Sequence, residues 1–435
     1  MVEWGCVADD LTGATDLATN LVSGGFRTVV LFGAQAASLL AAPVVGADEV
    51  DAIVVALKSR TAPVEEAVSG VLTALSVLDA AGAKRIYVKY CSTFDSTPRG
   101  NIGPTIDAVL ARTGECLTVV VPSFPDTGRT VYQGYLFVGN ELLSESSMRH
   151  HPLTPMLDSS LRRLLAPQTK GRVELIPLQV VRRGKAAVKS SLDVLRKRDE
   201  RVLVVIDALT VADLTTIAAA TSHLRVVTGA SGLAQGFTPA HGDKEIRHIP
   251  IADGHRVSLC GSVSQQSQTQ VTAARARVPA HKLDLHKLRI SFEATIAEVI
   301  DWTLNEWKTN ASATPLIYSA ECAVDVDTTP PPEGATPASD LLERGLAAVA
   351  RSLVDAGARQ LLVAGGETAG RVVDELGVRS LLIGPAIAPG VAWSAGALPD
   401  GTTVNLALKS GNFGGDDFFT SAWDALSETD LEGRH

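Results

Sequence analysis

Aromatic side chains are scarce, with Phe, Trp and Tyr together making up 5% of the 435 residues. That is too thin a supply for the stacked platforms that hold single-stranded nucleic acid. Positive charge is also in deficit: 39 basic against 48 acidic residues leave a formal net charge of −9. The balance speaks against a polyanion-binding surface, although not against a local basic pocket for a small anion. The five cysteines, Cys6, Cys91, Cys116, Cys260 and Cys322, are dispersed and form no CxxC pair, which speaks against a disulfide framework and against a zinc site. No apolar run reaches the roughly 18 to 20 residues of a membrane span. The opening "MVEWGCVADD" has no basic segment leading into an apolar one, so no secretory signal is expected. These absences predict a cytoplasmic chain whose partners are neither nucleic acid nor membrane.

What is present is apolar and aliphatic. Hydrophobic residues make up 46% and charged residues 20%, the balance of a well-buried globular protein. The length predicts two domains rather than one core. Short β-rich runs ("RTVVLFG", "DAIVVAL", "RIYVKY", "LTVVVP", "VLVVIDA", "LRVVTGA") alternate with amphipathic stretches such as "PVEEAVSGVLTALSVLDAAGA" up to about residue 230. Such alternation predicts parallel sheets covered by helices. "GFTPAHGDKEIRHIPIADGH" breaks the pattern and reads as a linker. A second alternation follows, with a Pro-rich stretch, "DVDTTPPPEGATPASD", expected as an exposed loop, and "LLIGPAIAPGVAW" expected as a late strand. The basic segment "VVRRGKAAVKSSLDVLRKRDER" is expected as a solvated helix face. The expected fold class is α/β, two domains, each a mostly parallel sheet flanked by helices, with the active site in the cleft between them. The expected bounds are 1–238, a linker 239–255, 256–428, and a tail 429–435.

Ligands of open α/β sheets bind beyond the carboxyl ends of the strands. In "VADDLTGATD" that rule makes Asp9 and Asp10 ligand-facing, with Thr15 or Asp16 expected to cap the helix that follows. Two adjacent carboxylates repel unless something positive or hydroxylated sits between them. "KYCSTFDSTPRGNIGP" also follows a strand and offers Lys89, Ser92, Thr93 and Asp95 to a carboxylate or phosphate. In "VPSFPDTGRTVYQGYLFVG", a third loop, Arg129 could fork onto a substrate carboxylate. His150 and His151 in "RHHPLTP" lack the i, i+4 spacing of a helical zinc site. In the second half "LLVAGGETAG", "LCGSVSQQSQ" and "LALKSGNFGGDD" are each strand, small-residue turn and, for the first two, helix. Such turns let backbone N–H groups approach a phosphate, with a helix expected to begin near Thr368. Three of them suggest a nucleotide, and a triphosphate implies Mg²⁺ as its counter-ion. A dinucleotide oxidoreductase would need GxGxxG followed by an acid about 20 residues on, which neither half supplies.

Taken in order, "ADDLTGATD", "CSTFDST", "FPDTGRTVYQG", "GSVS", "AGGETAG" and "LKSGNFG" closely resemble the four-carbon acid sugar kinase family, over residues 4 to about 424. Leu11 stands where the family motif has Phe, an apolar exchange. The resemblance implies an N-terminal substrate domain, a C-terminal nucleotide domain, and ATP-dependent phosphorylation of a terminal hydroxyl. It implies substrate contacts at Asp9, Asp10, Lys89, Ser92, Thr93 and Arg129. It implies nucleotide contacts at Ser262, Ala364, Gly365, Gly366, Glu367 and Gly411, beside which Thr368 and Asn412 are candidates. Asp9 or Asp10 is expected to orient the acceptor hydroxyl and take its proton. "GNIGP" and "LLSESSMRHHPLTPM" are most similar to members acting on a 3-oxo-tetronate, with threonate and erythronate kinases, or a non-catalytic acid-sugar sensor, as alternatives. The metal ligands and the oligomeric state, a homodimer among the options, are left open.

Overall fold

A computed structural model describes residues 2–33, 50–151, 154–197, 200–240, 248–322, 325 and 336–432. Residues 241–247 of the expected linker, most of the Pro-rich stretch, Pro152, and the last three residues of the expected tail lie outside the described residues. The chain divides into two compact units at residues 246 and 247.

The first unit is built on β1 (Trp4–Ala8), β2 (Thr28–Phe32), β3 (Ala52–Ala56), β4 (Arg85–Lys89), β5 (Leu117–Val121), β9 (Arg172–Ile176), β10 (Val202–Ile206) and β11 (Val226–Gly229). They form a parallel sheet in the order β2-β3-β1-β4-β11-β5-β10-β9. Most of these strands are unbroken aliphatic runs because helices cover both faces of a parallel sheet. Trp4, Tyr87 and Phe237 pack as a ring cluster under one face, with the Arg85 guanidinium 3.9 Å over Trp4. The longer helices of this unit are α1 (Leu11–Ser23), α2 (Val64–Ala80), α3 (Ile102–Thr113), α4 (Lys185–Arg196) and α5 (Val211–Ala220). In α2, Ala67, Val71, Ala74, Leu75 and Leu78 make the buried stripe, and Glu65 and Glu66 meet the positive end of its dipole. Helix α4 buries Val188 and Leu192 and leaves most of its basic residues to solvent, as its composition predicts.

One expectation is corrected here. The segment after β5 is not simply a loop, because β6 (Arg129–Tyr132), β7 (Tyr135–Val138) and β8 (Glu141–Leu142) form a small antiparallel sheet. Its first turn is pinned by Asp207, a fully buried carboxylate that accepts the N–H groups of Gln133, Gly134 and Leu178 at 2.7 to 3.0 Å.

The second unit contains β12 (His255–Cys260), β13 (Ala280–Lys282), β14 (Leu316–Tyr318), β15 (Ala358–Ala364), β16 (Ser380–Ala388), β17 (Val391–Ala397) and β18 (Thr403–Lys409), in the order β13-β14-β12-β15-β18-β17-β16. The first five in that order are parallel, and β17 runs antiparallel to both of its neighbours, β18 and β16. "LLIGPAIAPGVAW" is thus two strands and not one. Pro389 ends the first, and Gly390, at φ +74°, makes the left-handed turn that a side chain would resist. Helices α6 (Gln265–Arg275), α7 (Phe292–Thr309), α8 (Ala338–Asp355), α9 (Gly366–Leu376) and α10 (Phe418–Glu432) complete this unit. No described helix is long and apolar enough to cross a membrane.

Candidate active site

Strand β1 lies between β3 and β4, with Ala8 opposite Ala56 on one side and Lys89 on the other. The residues just past these three strand ends therefore share one edge. Asp9 donates its N–H to the Lys89 carbonyl and accepts the N–H groups of Ser59 and Arg60 on its own carbonyl. The side chains meet as the backbones do. Arg60 Nε lies 2.8 Å from Asp9 Oδ2, and Arg60 Nη2 lies 3.1 Å from Asp9 Oδ1 and 2.5 Å from Asp10 Oδ1. Lys89 Nζ, 4% exposed, stands 3.7 and 3.8 Å from the same two Oδ1 atoms. The neutralising cation that the adjacent aspartates require is chiefly Arg60, which sequence reasoning missed. The signal was available: "LKSR" leaves the end of β3 as "DD" leaves β1.

The cap of α1 is a second correction. Asp10, not Thr15 or Asp16, is the N-cap, accepting the Gly13 N–H at 3.1 Å and the Thr12 hydroxyl at 2.8 Å. Burial pushes the Asp10 carboxyl up, but Arg60, Lys89 and these two donors outweigh it and hold the pKa at about 2. Asp16 sits inside the helix, buried, where desolvation pushes its pKa up to about 6 against the opposing pull of Lys89. For Lys89 and Arg60, burial disfavours the cation, yet Asp9 and Asp10 win and raise both pKa values. Gly13 makes the close approach possible, since a Cβ there would lie 2.1 Å from Asp10 Oδ1 and 2.3 Å from Lys89 Nζ.

The loop after β4 is a hydrogen-bonded shell around this group. The Thr93 hydroxyl donates to Asp95 at 2.6 Å and lies 2.9 Å from Cys91 Sγ, and both Thr93 and Asp95 are buried. Ser92 is half-buried. Phe94, fully buried, holds the loop at φ +53°, a strained setting for a bulky residue. Two amides that sequence reasoning did not single out brace the region. Asn101 Nδ2 donates to the carbonyls of Ser59 and Ala62 at 2.7 and 3.0 Å, and Gln168 joins Ser96, Thr97 and the Gly103 N–H. Arg129 is not brought into contact with Lys89 or the aspartates among the described residues. It follows β5, two strands beyond β4, or roughly 10 Å along the edge. One of its terminal nitrogens donates to the Thr127 carbonyl, and its buried Nε has no partner. His151 accepts the Thr154 N–H at 3.1 Å, a loop contact.

In the second unit three loops leave adjacent parallel strands, with Cys260 opposite Ala364 and Ala364 opposite Lys409. The Gly261 N–H donates to Ala364 and the Gly365 N–H to Lys409. A Cβ on Gly411 would lie 2.4 Å from Ser262 Oγ, and one on Gly261 would lie 2.1 Å from Thr368 Oγ1. Helix α9 begins at Gly366, ahead of the expected Thr368, with Gly365 at φ +114° before it and no side chain capping its first N–H groups. Glu367 and Asn412 are exposed, while Ser262 and Thr368 are buried. Two helix N-termini, α6 and α9, thus meet at one edge, with the buried ammonium of Lys409 beneath it adding positive charge, a setting that fits a polyphosphate. No group of three or more His, Cys, Asp or Glu side chains converges to hold a metal among the described residues. The residues present do not fit a dedicated divalent-metal cage.

A sugar-binding N-terminal domain family matches residues 4–237, and a nucleotide-binding C-terminal domain family matches residues 257–419. The two units are thus those of a two-domain kinase of sugar acids. The chain belongs to the four-carbon acid sugar kinase family. Among its curated relatives, the 3-oxo-tetronate kinase of Burkholderia multivorans is 43% identical over 97% of each chain, and that of Cupriavidus necator is 44% identical over 96% of each. A crystal structure from Salmonella typhimurium LT2, provisionally described as a tRNA synthase, has a TM-score of 0.86 at 38% identity, covering 97% of this chain and 99% of that one. A Haemophilus influenzae protein has a TM-score of 0.77, also at 38% identity, covering 97% of this chain and all of that one.

Proposed function

We propose that the protein uses ATP to phosphorylate the terminal C4 hydroxyl of 3-oxo-tetronate, giving 3-oxo-tetronate 4-phosphate and ADP. The observation that carries this reading is the Arg60–Asp9–Asp10–Lys89 group, which offers both signs of charge at the ligand-binding edge of a parallel sheet. The names of the relatives supply the substrate class.

In this reading Arg129, farther along the edge, takes the substrate carboxylate, Lys89 stands with Asp9 at the C4 end, and Ser92 and Thr93 meet the keto and hydroxyl oxygens between. The C4 hydroxyl hydrogen-bonds to Asp9. Asp10 is a poor proton acceptor because its pKa is held at about 2 and its oxygens also cap α1 through Gly13 and hold the Thr12 hydroxyl, whereas Asp9 is held by side-chain charge alone and caps no helix, so Asp9 takes the proton. Arg60 releases one edge of Asp9 as it does so. A loose phosphoryl-transfer transition state asks for positioning and charge stabilisation more than for a strong base. Ser262, the N–H groups of the 364–368 turn, Gly411 and Asn412 would hold the nucleotide phosphates. Mg²⁺ would enter with the nucleotide, bound to its phosphate oxygens and water. Five free thiols and a dependence on ATP fit a reducing cytoplasm.

An ADP-release assay run in parallel on 3-oxo-tetronate, D-threonate, D-erythronate and L-threonate tests the reading. The expected result is a kcat/KM for 3-oxo-tetronate at least tenfold above the rest. A preference for threonate or erythronate overturns the substrate, and binding of an acid without ADP formation overturns the kinase.

A further inference from the structure

Lys409 ends β18 with no solvent exposure. Its Nζ donates to the carbonyls of Ser410 and Gly411 at 3.1 and 3.0 Å and lies 3.5 Å from the Ser267 hydroxyl on α6. The Phe418 ring of α10 is 5.8 Å away. No carboxylate pairs with it among the described residues, although a buried ammonium ordinarily needs one. The other acids of these loops, Glu367, Asp416 and Asp417, are exposed and make no ion pair with it. The titratable group that faces it is Cys260, at the end of β12, whose thiol burial pushes up to about 11.

Two helix N-termini converge on the same edge, and the carbonyl oxygens that Lys409 meets carry only partial charge, so the cation has no full counter-charge among the described residues. Resting on the nucleotide reading of these loops, we propose that Lys409 is a positioning residue that couples nucleotide binding to its own protonation. Its ammonium ties the 410–411 carbonyls in place, keeping Gly411 against Ser262, and its charge is neutralised only when a polyphosphate is bound. Burial lowers its pKa to about 8 in the free protein. A bound phosphate restores the missing counter-charge and raises it. Above pH 8 the free protein therefore carries a neutral amine, and nucleotide binding draws a proton from solvent. The nucleotide's own phosphates, with a last pKa near 6, and the Cys260 thiol are both silent between pH 8 and 9.

The experiment is calorimetry of ADP binding to the full-length protein in two buffers of different ionisation enthalpy. At pH 7 no proton uptake is expected. At pH 9, where about nine-tenths of a group of pKa 8 is unprotonated, uptake of more than about half a proton is expected, with affinity several-fold weaker. Lys409→Met should remove the uptake and weaken ADP binding at pH 7 about tenfold or more, with the circular dichroism spectrum unchanged. ADP binding to the wild type without proton uptake at pH 9 overturns the coupling, and so does a folded Lys409→Met variant that keeps the uptake. If Lys409→Met does not fold, the wild-type measurement decides alone. Failure of the wild type to bind ADP at any pH would instead overturn the nucleotide reading.

Discussion

Arg60 grips both carboxylate oxygens of Asp9 across 51 residues of sequence, with Nε and Nη2 at 2.8 and 3.1 Å. The same Nη2 reaches Asp10, so one guanidinium satisfies two adjacent anions. Lys89 approaches both but at nearly 4 Å.

Replacing this fork should cost the acid substrate and spare the nucleotide. Arg60→Ala is expected to lower kcat/KM for the acid by about 100-fold or more, leaving the KM for ATP within about twofold. Arg60→Lys should recover only part of the loss, because an ammonium cannot bind bidentately. Steady-state kinetics with each substrate varied in turn provide the check, and an equal rise in both KM values would contradict the assignment.

The two aspartates should separate by phenotype. Asp9→Asn is expected to lower kcat by about 100-fold or more, as for loss of a proton acceptor. Asp10→Asn should keep kcat within about tenfold of the wild type but lose stability. The folded pKa of Asp10, about 2, lies below the ordinary 3.8, so its contribution is present above pH 4 and fades as pH falls towards 2. Urea melts at pH 7 should show a deficit of about 1–2 kcal/mol after allowance for partial exposure, shrinking at low pH.

Asp16 titrates in the opposite sense. Its folded pKa of about 6 exceeds the ordinary 3.8. The stability linked to it is therefore present below pH 4 and is lost as pH rises through 6. Asp16→Asn keeps an oxygen for the Asn20 amide, which now donates to it at 3.2 Å, and removes the buried charge. The variant should match the wild type at pH 4 and exceed it at pH 8 by roughly 2–3 kcal/mol. A pH-independent difference would contradict this.

A methyl group should distinguish the nucleotide loops from the substrate loops. Gly411→Ala places a Cβ 2.4 Å from Ser262 Oγ, and Gly365→Ala forces a side chain onto φ +114° beside the Ser262 N–H. Each is expected to raise the KM for ATP about tenfold or more while changing the KM for the acid less than threefold.

Strand ends carry most of what can be read in advance. "GCVADD" and "RIYVKYCS" each end an aliphatic run in charge, and the structure sets Asp9 and Lys89 on neighbouring strands. Arg60 is harder to foresee, because its partners are supplied by another βα unit and its only mark is its place just past the end of a third aliphatic run, in "LKSRTAP". The cap is misplaced for a related reason. Thr15 and Asp16 have suitable side chains, but "DDLTG" already holds the Asp10-to-Gly13 spacing of an N-cap, masked by the catalytic reading of the same carboxylate. The antiparallel pair β16–β17 hides in one apolar run, where Gly384–Pro385 and Pro389–Gly390 both offer a break and only the second makes the turn. Asn101 and Gln168 brace loops through backbone carbonyls, which leave no trace in residue type.

The register that joins Ala8 to Lys89 also constrains how this protein can change length. Side chains alternate faces along a strand, so a slip of one residue in β4 would bring Val88 to the strand end and carry the ammonium to the opposite face. Two neighbouring anions would then share Arg60 alone. Insertions or deletions within β4 should be tolerated in steps of two, whereas α2, which precedes that strand, can gain or lose residues at its exposed ends without disturbing this parity. Engineering of new acid specificities on this scaffold is thus better directed at the segments after the strands than at the strands themselves.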